Sequence, residues 1–177
     1  MKRQNINKSD IRVMDSTGVM DRGSMEFKSS VSHNHGDIMA IASKNIITLP
    51  PTTNIMGTAK TMLKYGFRRV PIADAGTNRL EGIITSLDIV DFLGGGLRHN
   101  IVKNRYKGNL AAAINEDVRE IMKEDVGSLG VNDTISNTLK TMIERNIGGI
   151  PIVDNYNTVV GIVTERDFVR TVEDITN

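Results

Sequence analysis

The stretch Gly82–Asp88 reads GIITSLD, and Gly161–Asp167 repeats it as GIVTERD. Working outward, Asn45–Asp74 aligns with Asp125–Asp154 at a shift of 80 residues, with nine of the 30 pairs identical. The shift then falls to 79, because the intervening turn is one residue shorter in the second copy. A unit of about 55–60 residues buries too little apolar surface to be stable alone, so we expect the two copies to pack on each other.

Both copies show the same order of structural patterns. An apolar stretch precedes a helix with apolar residues at i, i+4, i+7 and i+8, and two β-branched strands and a second helix follow. The pattern predicts an α+β fold, with two β-α-β-β-α repeats packed about a pseudo-two-fold axis and Met62 and Met142 buried at equivalent places. In the first copy the predicted elements are the apolar stretch Ile46–Leu49, a helix with Ile55, Ala59, Met62 and Leu63, the strands Val70–Ala73 and Leu80–Ile84, and the helix Leu87–Leu93. In the second copy they are the apolar stretch Val126–Leu129, a helix with Ile135, Leu139, Met142 and Ile143, the strands Ile150–Val153 and Val159–Val163, and the helix Arg166–Val172.

The repeat divides the chain into four segments. Residues 1–36 form an N-terminal leader, expected to be partly flexible because it shows no sustained period and is rich in Ser, Asn, Asp and Gly. Residues 37–93 hold the first repeat, 94–115 a glycine-rich helical connector and 116–177 the second repeat. The glycines at 94–96 are predicted to end a helix, because no Lys-Ser/Thr pair follows them as a Walker phosphate loop requires.

Composition narrows the classes of function. The chain has 177 residues, of which 24% are charged, with a formal net charge of +1 and no cysteine. Disulfides, thiolate catalysis and cysteine-ligated zinc are therefore excluded. The balanced charge disfavours nucleic acid as a partner, and no apolar run reaches the roughly 18 residues of a membrane span, so we expect a cytoplasmic protein. His33 and His35 lack acidic or cysteine ligands at metal spacing, and no catalytic constellation is visible, so neither a metal site nor an enzyme is predicted.

The repeated motifs carry a resemblance to a known family. Each copy has the order β-α-β-β-α and two motifs. The first reads hydrophobic-Pro-hydrophobic-x-Asp, at Val70–Asp74 and Ile150–Asp154, and the second, Thr-x-x-Asp, follows the next strand. This combination resembles the CBS domain. Two in tandem resemble a Bateman module, over about Asp37–Val172. Gly82–Phe92 and Leu110–Glu116 are similar to archaeal stand-alone CBS proteins, some of which carry four repeats and are similar to the gamma subunit of the AMP-activated protein kinase. The sequence leaves open whether two repeats are a whole protein or half of a longer one.

Thr85 and Asp88 in one copy, and Thr164 and Asp167 in the other, have two readings. As plain chemistry each pair is a capping box, in which Thr caps the helix and Asp reaches back to the cap N–H. The resemblance implies that the aspartate also binds ribose hydroxyls, and that Thr or the neighbouring Ser86 lies near ribose or phosphate. A carboxylate accepts from two vicinal hydroxyls and a helix N-terminus attracts phosphate, so the two readings are compatible.

The resemblance further implies an apolar slot for adenine in each copy, although the same residue types suit an ordinary core or an edge strand. The candidates are Ile47, Thr48, Val70 and Pro71 in the first copy, and Gly127, Ser128, Ile150 and Pro151 in the second.

Two adjacent arginines distinguish the copies, because Arg68 and Arg69 align with Gly148 and Gly149. Such a pair is common in a solvated turn, but arginines at comparable places in the kinase gamma subunit contact nucleotide phosphates. The resemblance therefore makes both phosphate candidates, with Arg166 as a substitute in the second copy. We predict two unequal sites, of which one discriminates for phosphate, since guanidinium matches phosphate in bidentate geometry.

The resemblance implies a regulatory module rather than an enzyme. It would bind AMP, ADP, ATP or S-adenosylmethionine as ligands, without a cofactor, and would transmit occupancy through the packing of its repeats. A homodimer and an additional protein target are the expected partners, and the isologous dimer is the commonest closed symmetry. The alternative is a structural or nucleic-acid-interacting CBS protein that senses no nucleotide.

Overall fold

Two antiparallel hairpins, one in each repeat, form the centre of the fold. The computed structural model describes residues 38–175, so the predictions for the leader and for His33 and His35 lie outside the described range. Strands β1 (Arg69–Ala73) and β2 (Leu80–Thr85) pair in the first repeat, and β4 (Gly149–Val153) and β5 (Val159–Thr164) pair in the second. Their β-branched residues are largely buried, as is typical of strands that pack in a core.

The first predicted strand of each repeat is shorter than expected. In the second repeat, β3 (Leu129–Gly130) runs parallel to β4. In the first repeat only Leu49 pairs, through a hydrogen bond from its N–H to Pro71 and one from the Ala73 N–H to the Leu49 carbonyl. The ladder cannot continue because Pro50 and Pro51 follow and have no N–H to donate.

The helices α2 (Ile55–Tyr65) and α6 (Ile135–Arg145) have matching caps and matching buried faces. Asn54 and Thr134 cap their N-termini through side-chain oxygens, and Gly66 and Asn146 end them in the left-handed conformation. Met62 and Met142 are buried, at 6% and 8% exposure, which confirms their predicted equivalence.

The predicted apolar face was wrong at its edge, because Leu63 and Ile143 are 84% and 81% exposed. Thr58 and Thr138 are fully buried in their place. Each threonine hydroxyl donates to a carbonyl four residues earlier, at 3.0 and 2.9 Å, so the core accepts it without an unpaired polar group.

The remaining helices flank these elements. They are α1 (Ile38–Ile41), α3 (Ser86–Val90), α4 (His99–Tyr106), α5 (Leu110–Ala113) and α7 (Glu165–Ile175), with a wide turn at Asp91–Gly95 and a 3-10 turn at Val118–Glu120. The chain leaves helical geometry at Gly94, whose φ of 149° is open to glycine and strained for other residues. The glycine run therefore ends a helix, as predicted.

The segment that leads into each repeat packs on the other repeat. Ile38 belongs to the apolar cluster of the second repeat, whereas Val118 and Ile121 belong to that of the first. Backbone bridges join Ser43 to Ile162 on β5 in the same way that they join Lys123 to Ile83 on β2. This exchange ties the two repeats into one unit of the chain.

A pseudo-two-fold axis passes between the two hairpin ends. The Leu80 N–H donates to the Asn157 carbonyl and the Val159 N–H donates to the Asn78 carbonyl, both at 2.9–3.0 Å. The side-chain amides of Asn78 and Asn157 repeat the exchange, donating to Val159 and Leu80 at 3.0 and 3.1 Å. Both asparagines have positive φ, which this residue type tolerates. The predicted two-fold relation of the repeats is confirmed.

Candidate ligand-binding cleft

Thr85 and Asp88 form a complete capping box, Thr164 and Asp167 make the bonds to the carboxylate in the same way, and each aspartate uses one carboxylate oxygen. Oδ2 of Asp88 accepts from the N–H and hydroxyl of Thr85, at 2.8 and 2.6 Å. Oδ2 of Asp167 accepts from the same two groups of Thr164, both at 2.8 Å. Both aspartates are buried, and capping leaves the second oxygen, Oδ1, available for another partner.

A cleft of about 220 Å³ opens beside Asp167, and we call it the Asp167 cleft. Its walls come from both repeats, since Ser43–Pro71 supply one side and Ile162–Arg170 the other. The hydroxyl of Ser43 donates to Oδ1 of Asp167 across a long 3.4 Å. The lining residues are Ser43, Asn45, Ile46, Ile47, Gly66, Phe67, Arg68, Arg69, Pro71, Ile162, Thr164, Glu165, Arg166, Asp167 and Arg170.

Four arginines line this one cleft: Arg68, Arg69, Arg166 and Arg170. The backbone carbonyl of Arg68 accepts from the Ser86 N–H of its own repeat, but the residue lines the cleft that holds the motif of the other repeat. The arginines of the two copies thus meet at one site, and Arg166 adds to Arg68 there rather than replacing it elsewhere.

Arg69 has partners that hold it across the pseudo-axis. Its Nη1 donates to the Gly148 carbonyl at 2.5 Å and pairs with Glu165 at 3.3 Å. A Cβ added to Gly149 would lie 2.6 Å from the Arg69 Cδ. The difference between the copies is therefore complementary, because Gly148 and Gly149 of the second copy leave space that the Arg69 side chain of the first copy fills.

The repeat also defines the equivalents of the cleft residues around Asp88, and we call this place the Asp88 site. In the repeat alignment, Lys123 corresponds to Ser43, Gly127 to Ile47, Leu87 to Arg166 and Asp91 to Arg170. Oδ1 of Asp88 pairs with Arg98 Nη2 at 3.2 Å and with Lys123 Nζ at 3.7 Å. The two sites share a motif and differ in charge.

Of the predicted site residues, Ile47, Arg68, Arg69, Pro71, Thr164, Arg166 and Asp167 meet in the Asp167 cleft. The repeat equivalence assigns the others to the Asp88 site, namely Thr85, Ser86, Asp88, Gly127, Ser128, Ile150 and Pro151. Val70 and Ile150 are core residues with almost no exposed surface, so neither has surface to offer a ligand. Thr48 turns away to the pseudo-axis, where its hydroxyl donates to Asn78 at 2.9 Å.

Sequence reasoning missed Ser43, Asn45 and Arg170 in the cleft, and Arg98 at Asp88. Ser43 lies before the aligned stretch and Asn45 is its first residue, and the bridge of Ser43 to Ile162 on β5 depends on the segment exchange. Arg170 lies three residues after Asp167 on α7, and that helical spacing was the available signal.

The electrostatics near Asp88 centre on Asp91. The backbone N–H of Arg98 donates to Asp91 at 2.8 Å, and this hydrogen bond, with that from the Arg98 guanidinium, holds the pKa of the Asp91 carboxyl below its usual value. On the far side of the connector, Glu120 and Glu116 raise the pKa of Arg105, whose Nη1 lies 2.8 Å from Glu120.

Within residues 38–175, His, Asp and Glu side chains form no group of three that could hold a metal ion. Over the same range the structure contains no helix long and apolar enough to cross a membrane.

Comparisons with known proteins agree with this architecture. A sequence relative, protein MJ1225 of Methanocaldococcus jannaschii, is 45% identical over 77% of this chain and 49% of its own length. Its crystal structure, described as that of a proposed archaeal homolog of g-AMPK, superposes with a TM-score of 0.75 over 77% of this chain and 50% of that one. The CBS domain pair of protein MJ0100, in complex with 5'-methylthioadenosine and S-adenosyl-L-methionine, is 32% identical over 76% of this chain and 98% of that one, with a TM-score of 0.62.

L-aspartate semialdehyde sulfurtransferase of Methanocaldococcus jannaschii is 33% identical over 72% of this chain, yet the match spans only 22% of that protein. The chain therefore spans about half or less of the length of these curated relatives. The model of the CBS domain family matches residues 36–95 and 118–174, once for each repeat. This chain belongs to the CBS domain family.

Proposed function

We propose that this chain is a regulatory module that binds an adenine nucleotide in the Asp167 cleft. The observation that carries the proposal is the combination, in one cleft between two repeats, of an apolar wall, a carboxylate oxygen left over from capping and several arginines. These three features match the three parts of a nucleotide: base, ribose and phosphate. The proposal agrees with the adenosyl ligands of the related CBS pair of MJ0100.

The base and the ribose have separate partners in the proposal. Adenine lies against Ile46, Ile47, Pro71 and Ile162, which form the apolar part of the cleft. Oδ1 of Asp167 accepts the ribose hydroxyls and releases its long contact with Ser43, whose hydroxyl is exposed and can bond to water. The desolvation cost is small because Asp167 is already buried and ordered by its cap.

The charge of the cleft favours phosphate over a sulfonium cation. Arg68 and Arg166 are exposed, as is Arg170, whereas the carboxylate of Glu165 already pairs with Arg69. The three other guanidiniums are placed to meet an anionic group. We therefore propose AMP, ADP or ATP as ligands in preference to S-adenosylmethionine.

We propose a regulatory role because the two walls of the Asp167 cleft come from different repeats. A ligand held by Ile47 of one repeat and Asp167 of the other bridges the repeats, so its binding energy favours the arrangement in which the cleft is closed. A protein target, or a second copy of the chain, would bind preferentially to that arrangement of the repeats. The chain has no catalytic role in this proposal.

The test is calorimetry and thermal unfolding with adenosine, AMP, ADP, ATP and S-adenosylmethionine. A ligand present at 100 times its Kd should raise the free energy of unfolding by about 2.7 kcal/mol. We expect the phosphorylated nucleotides to bind more tightly than adenosine, and S-adenosylmethionine to bind least.

Asp167→Ala should weaken AMP binding by roughly tenfold to 150-fold, since the loss of a charged hydrogen bond costs about 1.5–3 kcal/mol. Asp88→Ala is the matched control, because it removes the equivalent carboxylate, with its bonds to Thr85, from the other repeat. Binding that is unchanged in Asp167→Ala would refute the proposed site. Salt-dependent retention on DNA or RNA, without any response to nucleotides, would favour the alternative function.

A further inference from the structure

The carboxylate of Asp88 has no oxygen free for a ribose. Oδ2 is engaged by the capping box, and Oδ1 pairs with both Arg98 and Lys123. The Asp88 side chain is only 3% exposed, so its cationic partners cover it. Asp167 differs in this respect, because the neutral Ser43 hydroxyl is its Oδ1 partner.

Arg98 is held at Asp88 by contacts on every side of its guanidinium. Nε donates to the Ile121 carbonyl at 2.7 Å and Nη1 to Asp91 at 2.8 Å, while Nη2 faces Asp88. Its backbone N–H also donates to Asp91. A ligand that took Oδ1 of Asp88 would have to displace a guanidinium that is only 25% exposed and is held in place by these other bonds as well as by the ion pair itself.

The path of the connector explains how Arg98 reaches this place. The wide turn at Asp91–Gly95 reverses the chain directly after α3, so that Arg98 returns to the N-terminal end of the same helix. In the second repeat the position of Asp91 is held by Arg170, which would repel an arginine placed in the same way. The sequence therefore favours the contact between Arg98 and Asp88 in the first repeat and disfavours an equivalent contact in the second.

The base side of the Asp88 site is also altered. Gly127 replaces Ile47, and a Cβ added to Gly127 would lie 2.6 Å from the Arg145 guanidinium. The exposed Arg145 thus takes the place of the apolar wall, and its planar guanidinium can stack on a base, so the block that we assign to this site lies at Asp88.

We propose that Arg98 acts as an internal occupant of the Asp88 site and limits each chain to one nucleotide, bound in the Asp167 cleft. Arg98 is then the residue that decides the number of sites. The inference rests on the proposed function for the identity of the ligand, but the pairing of Arg98 with Asp88 exists without any ligand.

The experiment counts adenosine sites on the full chain by calorimetry. Adenosine is the probe because the Asp88 site lacks the equivalents of the cleft arginines. The wild type should bind about one adenosine per chain, and Arg98→Ala with Lys123→Ser, which copies Ser43, should bind about two. In an Asp167→Ala background the same pair of substitutions should restore adenosine binding. Arg105→Ala is the matched control, because this connector arginine pairs with Glu116 and Glu120 away from both sites.

A wild type with two adenosine sites, or a double variant with one, would overturn the inference and leave the proposed function standing. If no variant binds a nucleotide, the proposed function fails, and a double-mutant cycle then tests the pairing by itself. Arg98→Ala and Asp88→Ala together should lower the melting temperature by less than the sum of the single effects. Additive effects would show that Arg98 and Asp88 do not interact.

Discussion

Arg68 and Arg69 are neighbours in sequence, but they have different surroundings. Arg68 is exposed at the Asp167 cleft, whereas Arg69 is largely covered and bonded to Gly148 and Glu165. A guanidinium that already has two partners gains less from a phosphate than one that faces water. The pair should therefore separate into a ligand-binding residue and a residue that stabilises the contact between the repeats.

Arg68→Ala should lower the affinity for AMP by about tenfold, which corresponds to about 1.4 kcal/mol, and leave the affinity for adenosine unchanged. Arg69→Ala should instead lower the melting temperature. Calorimetry with both ligands and thermal unfolding measure the two effects. Equal losses for adenosine and AMP in Arg68→Ala would show that Arg68 does not contact phosphate.

Gly149→Ala provides an independent check on Arg69. The added Cβ meets the Arg69 side chain, so the substitution should cost about 1–3 kcal/mol in the wild type. The cost should be smaller in an Arg69→Ala background. An equal cost in both backgrounds would mean that Gly149 is required for another reason.

Local motifs made part of the site predictable from sequence. Thr164 and Asp167 could be found because a capping box has a fixed spacing of three residues, and Arg68 because it breaks an otherwise close repeat. Arg98 could not be found, because it reaches Asp88 ten residues back only after the wide turn reverses the chain. No period or spacing in the sequence encodes that turn.

At the scale of elements, the prediction held for the helices and hairpins, whose patterns repeat within a few residues. It failed where neighbouring prolines or a distant segment decide the outcome. The first strand is a single bridge at Leu49 because of the prolines that follow it. The position of α1 in the chain places it in the first repeat, whereas Ile38 packs in the core of the second. Sequence order and packing partner differ here, since each leading segment crosses to the other repeat.

Ile38→Ala should therefore destabilise the second repeat rather than the first. Ile38 is fully buried, and truncating a buried isoleucine costs about 2–5 kcal/mol. Amide hydrogen exchange should accelerate in β4 and β5 more than in β1 and β2. Lys44→Ala, an exposed position on the same segment, is the control. Faster exchange confined to β1 and β2 would contradict the segment exchange.

At the scale of the molecule, the pseudo-two-fold axis leaves apolar side chains exposed in matched pairs. Three such pairs lie at equivalent positions of the two repeats, namely Leu63 with Ile143, Val90 with Val169 and Leu93 with Val172. Single exposed apolar residues are ordinary, but a pattern that repeats with the internal symmetry of the chain indicates a shared role. An isologous dimer would cover both helix faces at once, because each face meets its own copy.

The homodimer expected from the sequence thus has a candidate surface, and two substitutions test it. Val90→Asp with Val169→Asp should convert a dimer to a monomer in sedimentation at micromolar concentration, because a carboxylate at each matched position cannot be buried against its own copy without a partner. Tyr156→Ser, at an exposed apolar position on the hairpin end, should leave the dimer intact. A double variant that still sediments as a dimer would place the interface elsewhere, and a monomeric wild type would remove the prediction.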